Sequence, residues 1–149
     1  IKECTIDLFK NASGNLSEKI NYTINKEEKS FDVGDAQMIA YIGHDGLMDF
    51  SLDFYPAKKK DLAITKEVMI YACISKSYYY DGVLKSGAHP LIWTTGLMCP
   101  EAYTLHATLN GWMLGETGAQ IRERAAQAYN TYQKCGIKGA RGLFFTGWN

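Results

Sequence analysis

Two short apolar runs, Met38-Ile39-Ala40-Tyr41-Ile42 and Val68-Met69-Ile70-Tyr71-Ala72, constrain the fold of this chain more than any other feature. Each reads as a buried strand, the first over 37–42 and the second over 68–73. Both end on a reactive side chain. The first delivers His44 into the glycine-flanked turn Gly43-His44-Asp45-Gly46, and the second delivers Cys73 just before Ser75. Strands running parallel and side by side would present both groups at one carboxyl edge, where open α/β sheets place their sites. A neutral imidazole beside a thiol can take its proton, and the thiolate is the nucleophile.

The rest of the pattern alternates helices with strands. Residues 3–13 read as the end of a helix, with Ile6, Phe9 and Ala12 inward and Gly14 as the stop. The polar stretch 15–35 reads as an irregular insert with one short helical piece. Residues 47–54 alternate apolar and polar, the period of a half-buried strand or hairpin arm closed by Pro56. A helix over 77–86 is stopped by Gly87, and a third strand runs over 90–95. Pro100 opens a helix whose inward face is Ala102, Leu105, Leu109 and Met113. Thr117-Gly118-Ala119-Gln120 is a capping box opening a last long helix that Gly136 caps. Leu143-Phe144-Phe145 reads as a short final strand. This order predicts one α/β domain with a largely parallel sheet.

Composition narrows the function classes. At 149 residues and 46% hydrophobic content the chain supports one core. Lys+Arg and Asp+Glu both number 16, so nothing in the net charge argues for nucleic acid or an anionic membrane as partner. Lys58-Lys59-Lys60 is the one basic cluster and reads as a solvated loop. No apolar stretch approaches the ~20 residues of a membrane span. The chain begins at Ile1 with no signal-peptide pattern, and reads as a processed chain or a fragment. The four cysteines are widely spaced with no CxxC pair, so a zinc site is not supported.

Among the candidate residues, Cys73 and His44 stand out by position. A cysteine in an apolar strand is commonly a core filler, but Cys73 falls where the apolar run stops. Cys4, Cys99 and Cys135 lie in predicted helices or a helix lead-in. For His44 the alternative is a turn histidine bonded to a carbonyl. His89 precedes Pro90 and reads as structural, and His106 falls within a helix. Asp45, Asp49 and Asp53 form a loose acidic series. A calcium ion is the alternative there to a solvated edge, although a spacing of four fits no EF-hand loop. No other cofactor is implied. Trp93, Thr94 and Thr95, at the end of the third strand, are candidates for a substrate groove wall.

A strand ending in Gly-His-x-Gly followed by an apolar strand ending in Ala-Cys-x-Ser resembles the caspase-like cysteine peptidases, the group with caspases, legumains, clostripain-type enzymes, gingipains and separases. Residues 84–95, a helix end, a Gly-small-His-Pro turn and a strand bearing Trp93, are similar to the separase and CHAT-type continuation. The resemblance covers roughly residues 36–133. It implies a caspase-like three-layer sandwich with a mostly parallel sheet, in which 1–149 is a single partial domain lacking the first strands. It further implies an endopeptidase with Cys73 as nucleophile and His44 as general base and acid. The oxyanion would be held by the Cys73 N–H and one from Gly43, Asp45 or Gly46. Trp93, Thr94, Thr95 and Ser75 would meet the substrate. The implied partners are a peptide or protein substrate and a companion amino-terminal segment that completes the sheet. Two departures stand out: Asp45 follows the histidine where the family has Gly, and Ile74 separates Cys73 from Ser75. A catalytically inactive scaffold or sensor module is the alternative.

Overall fold

The computed structural model describes residues 1–148. Helix α1 (Lys2–Ala12) leads to the strands β1 (Lys19–Ile24) and β2 (Glu27–Asp32), a 3-10 turn at Val33–Asp35, and β3 (Met38–Ile42). A second 3-10 turn at Gly46–Met48 opens the long connection to β4 (Glu67–Tyr71). Then come α2 (Ser75–Ser86), β5 (His89–Thr94), α3 (Ala102–Met113), α4 (Gly118–Gln133), α5 (Ile137–Leu143) and β6 (Phe144–Phe145). The fold is mixed α/β. One sheet has the order β3-β4-β5-β6, parallel except for β6, and a separate antiparallel pair is formed by β1 and β2.

The central strand is apolar on both faces because helices cover both. Val68, Ile70 and Ala72 pack with Leu8, Phe9 and Ala12 of α1 and Tyr79 and Val83 of α2. Met69 and Tyr71 point the other way, into a cluster with Ile121, Ala125, Ala126 and Tyr129 of α4. Period-2 alternation in a strand thus feeds two cores. β3 is the edge strand, and among the described residues no strand pairs with its outer side. No helix among the described residues is long and apolar enough to cross a membrane.

Several expectations need correction. Within the 15–35 stretch, β1 and β2 form a regular β-hairpin, with no helical piece but the 3-10 turn at Val33–Asp35. Ile20, Tyr22 and Ile24 alternate with polar residues, and Asn25 and Lys26 both have positive φ, 51° and 68°. Two consecutive left-handed residues are what a two-residue type I′ turn requires. The 47–54 stretch forms no strand. Asp45 caps a 3-10 turn instead, and Leu47 and Leu52 pack against the α1/α2 core without a strand partner. The buried face of α1 is Thr5, Leu8, Phe9 and Ala12. In α3 the buried residues are Thr104, Thr108 and Gly111, while Met113 is exposed, so the inward face is rotated by about one position. Small residues there let α3 and α4 approach closely. The helix α5 is unpredicted, and Gly136 starts it, whereas Lys134 in a left-handed conformation ends α4. The Thr117/Gln120 capping box is present.

Candidate active site

The register of the parallel pair sets the geometry of the two strand ends. Ile42 lies opposite Tyr71, and the Gly43 N–H donates to the Tyr71 carbonyl at 3.0 Å. His44 and Cys73 each follow this last rung by two residues, so they leave adjacent strands at the same edge. Neighbouring strands lie about 4.8 Å apart, and both residues therefore belong to one small region of backbone.

The Cys73 corner is held on all sides. Ile74 has φ 51°, ψ 29°, a left-handed conformation that a β-branched residue rarely adopts. That turn lets β4 pass directly into α2, so the thiol sits at the amino-terminal end of a 12-residue helix. Helix starts carry partial positive charge, and reactive thiolates are often built there. Below the turn, the buried Ser75 hydroxyl donates to the Ile70 carbonyl at 2.9 Å and accepts from the Thr94 N–H at 2.9 Å. The Thr94 hydroxyl donates to the Ala72 carbonyl. These bonds tie the strand end, the helix start and β5 together.

The thiol itself is half-buried and meets one residue twice. The Met98 N–H donates to Sγ at 3.4 Å, and the S–H faces the Met98 carbonyl at 3.6 Å. The Ile74 N–H donates to the Gly96 carbonyl at 2.9 Å.

The His44 turn is looser. Gly43 has φ +152° with open space where a Cβ would stand, whereas a Cβ on Gly46 would lie 2.5 Å from Ile1 and 2.7 Å from the Phe50 ring. A side chain at Gly46 would have to push the Ile1 and Phe50 side chains aside. The His44 side chain is 51% exposed, and its Nε2 lies 2.6 Å from Asp49 Oδ2. Among the described residues no hydrogen bond joins His44 to Cys73, and His44 Nδ1 has no partner. The Tyr41 hydroxyl donates to the His44 carbonyl at 2.8 Å. Asp45 is fully buried. One carboxylate oxygen accepts from the Leu47 N–H at 2.9 Å and the other has no partner among the described residues. Burial pushes its carboxyl up to about 6, partly opposed by the Leu47 N–H and by nearby His44.

Three of the expected substrate contacts are corrected. Ser75, Trp93 and Thr94 have no exposed surface. Trp93 lies 6.0 Å from Tyr80 and 5.5 Å from Trp148 between ring centroids, a core position. The outer edge of β5 is taken by β6, with Trp93 opposite Phe145 and Thr94 opposite Phe144. Thr95 is exposed, but its N–H and hydroxyl are bonded to the Leu143 and Gly142 carbonyls. The acidic series does not converge. Asp45 is buried, Asp49 binds His44, and no group of three or more metal-binding side chains occurs among the described residues. Two partners were missed by sequence reasoning, Asp49 beside His44 and Met98 beside Cys73. Asp49 was within reach, since it follows His44 by five residues across a turn. Nothing in the sequence signals Met98.

Compared with known proteins, the chain matches no family model, no curated protein and no solved structure.

Proposed function

We propose that this protein is a caspase-like cysteine endopeptidase in which Cys73 attacks the peptide carbonyl and His44 carries the proton. The observation that supports it most is the in-register parallel pair β3/β4, which ends in His44 and Cys73 two residues past a shared rung. In the forward step His44 accepts the thiol proton, the sulfur adds to the carbonyl carbon, and the amine leaves with a proton returned by His44. Water then cleaves the thioester. The orienting group for the imidazole is Asp49, whose contact with Nε2 leaves Nδ1 as the nitrogen that would take the thiol proton. A strand supplied by a companion segment would pair with the free outer side of β3, which is apolar and carries no charged residue.

A scaffold without catalysis is the second reading, favoured by the bonds that join Cys73 to Met98 rather than to His44. A peptidyl acyloxymethyl ketone, with site-resolved mass spectrometry, separates the two. The peptidase reading expects Cys73 labelling at neutral pH to fall by roughly a hundredfold in His44→Ala, the scale of general-base catalysis. Equal labelling of Cys73 in the wild type and His44→Ala, at a rate no higher than Cys99 or Cys135, overturns it.

A further inference from the structure

The segment 95–99 leaves β5 and runs alongside Cys73, and it is anchored at nearly every residue. The Thr95 N–H donates to the Leu143 carbonyl at 2.9 Å, and the Gly96 carbonyl takes the Ile74 N–H. Met98 is buried in the core cluster of α4, and the Cys99 N–H donates to the Tyr129 hydroxyl at 3.0 Å. Thr95, Leu97 and Cys99 are exposed, Leu97 the large apolar one at 71%.

Met98 uses both its main-chain groups on one sulfur. Its N–H points at Sγ, and its carbonyl oxygen receives the S–H. The thiol therefore meets this carbonyl at the oxygen, as a hydrogen-bond donor, and the sulfur does not lie over the carbonyl carbon. Nucleophilic addition needs the sulfur near that carbon, about 3–3.5 Å away and aligned with its π orbital. The Met98 peptide thus occupies the thiol without being positioned for cleavage. A substrate peptide would compete with it for the same sulfur.

We infer that residues 95–99 form a strap latched over Cys73, which must be displaced before the thiol can react with a peptide. The strap's role as a regulator of catalysis rests on the peptidase reading, but the shielding of Cys73 does not. It is a contact within one chain, with two separable latches: the buried Met98 side chain and the Cys99–Tyr129 hydrogen bond.

The test is the rate of Cys73 alkylation by iodoacetamide, with exposed Cys135 as the internal standard. Tyr129→Phe removes the acceptor for the Cys99 N–H, and Cys73 is expected to react about fivefold faster, the opening gained by losing one net hydrogen bond. Met98→Ala removes the buried anchor, and a rise of about tenfold or more is expected. Cys135 should not change in either. If Met98→Ala unfolds, as loss of its far-UV circular dichroism and urea transition would show, Tyr129→Phe decides alone. Cys73 rates equal to wild type in Tyr129→Phe overturn the strap. The same measurements in a His44→Ala background separate the two readings, the Tyr129→Phe ratio reporting the strap and the absolute Cys73 rate the dyad. A strap without a dyad keeps the Tyr129→Phe acceleration there. A dyad without a strap shows His44 dependence with the Tyr129→Phe ratio at one.

Discussion

The two strand ends at the candidate site leave the sheet at the same height and yet are built in opposite ways. Cys73 ends the central strand, with neighbours on both sides and a helix core above and below, and its corner is tied by Ser75, Thr94 and Met98. His44 follows an edge strand, and its half-exposed side chain is held by one contact to an exposed carboxylate. A central strand can fix a backbone position to a fraction of an ångström, while an edge strand leaves its last residues to the loop that follows. For a thiol nucleophile this division suits the chemistry. On the proposed peptidase reading, the attacking atom is placed rigidly and the imidazole is oriented through its Nε2 contact with Asp49.

Substitutions can break that contrast in descending order of effect. Trp93→Ala, beneath the Cys73 corner, should cost about 3–5 kcal/mol in urea unfolding, the range for emptying a large core site. Ile42→Ala, on the free edge beside His44, should cost less than about 1 kcal/mol. If the two costs came out equal, the edge would be as tightly built as the centre. Asp45→Asn probes the buried end of the His44 turn. The folded state holds this carboxyl at about 6, above its ordinary 3.8, so it favours the protonated form. Wild-type stability should therefore rise as pH falls from above 6 towards 4, relative to Asp45→Asn. At pH 8 the Asn variant, which keeps a cap for the Leu47 N–H, should be more stable by about 1–2 kcal/mol, with no difference near pH 4. Greater stability of the wild type at pH 8 would mean that the ionised carboxylate has a partner. Ile74→Asn relieves a left-handed β-branched residue at the cost of half-buried apolar surface. It should leave stability within about 1 kcal/mol of wild type, whereas Ile74→Val keeps the strain and gains nothing. Asp49→Asn should change stability by less than about 0.5 kcal/mol, since exposed pairs contribute little. If His44 draws its orientation from this residue, the effect appears in Cys73 labelling.

Much of the frame was legible residue by residue. The unbroken apolar run around Ile70 marked a strand covered on both faces, whereas the run around Ile39 forms a strand that is only partly covered, with Ala40 and Ile42 exposed at the sheet edge. Gly87 marked the end of α2 and the Thr117/Gln120 pair the start of α4. The hairpin over 19–32 was missed, because its strands are exposed on both faces and their charged composition hides the alternation of Ile20, Tyr22 and Ile24. The 47–54 alternation misled for the converse reason: a period of two makes a strand only when a neighbouring strand offers hydrogen bonds, and here none does. Asp49 and Met98 escaped because side-chain partners across a turn or a long connection leave no periodic trace.

By itself the sequence determined that β3 and β4 are strands, that β4 is buried, and that the two lead into His44 and Cys73, since apolar runs and residue order are local properties. Only the tertiary structure decided that the strands are adjacent and in register, that Trp93, Thr94 and Ser75 belong to the core, and that Met98 bonds Cys73 where His44 does not. Those outcomes depend on which surfaces exclude water and which backbone groups find partners far along the chain. No window of residues contains that information.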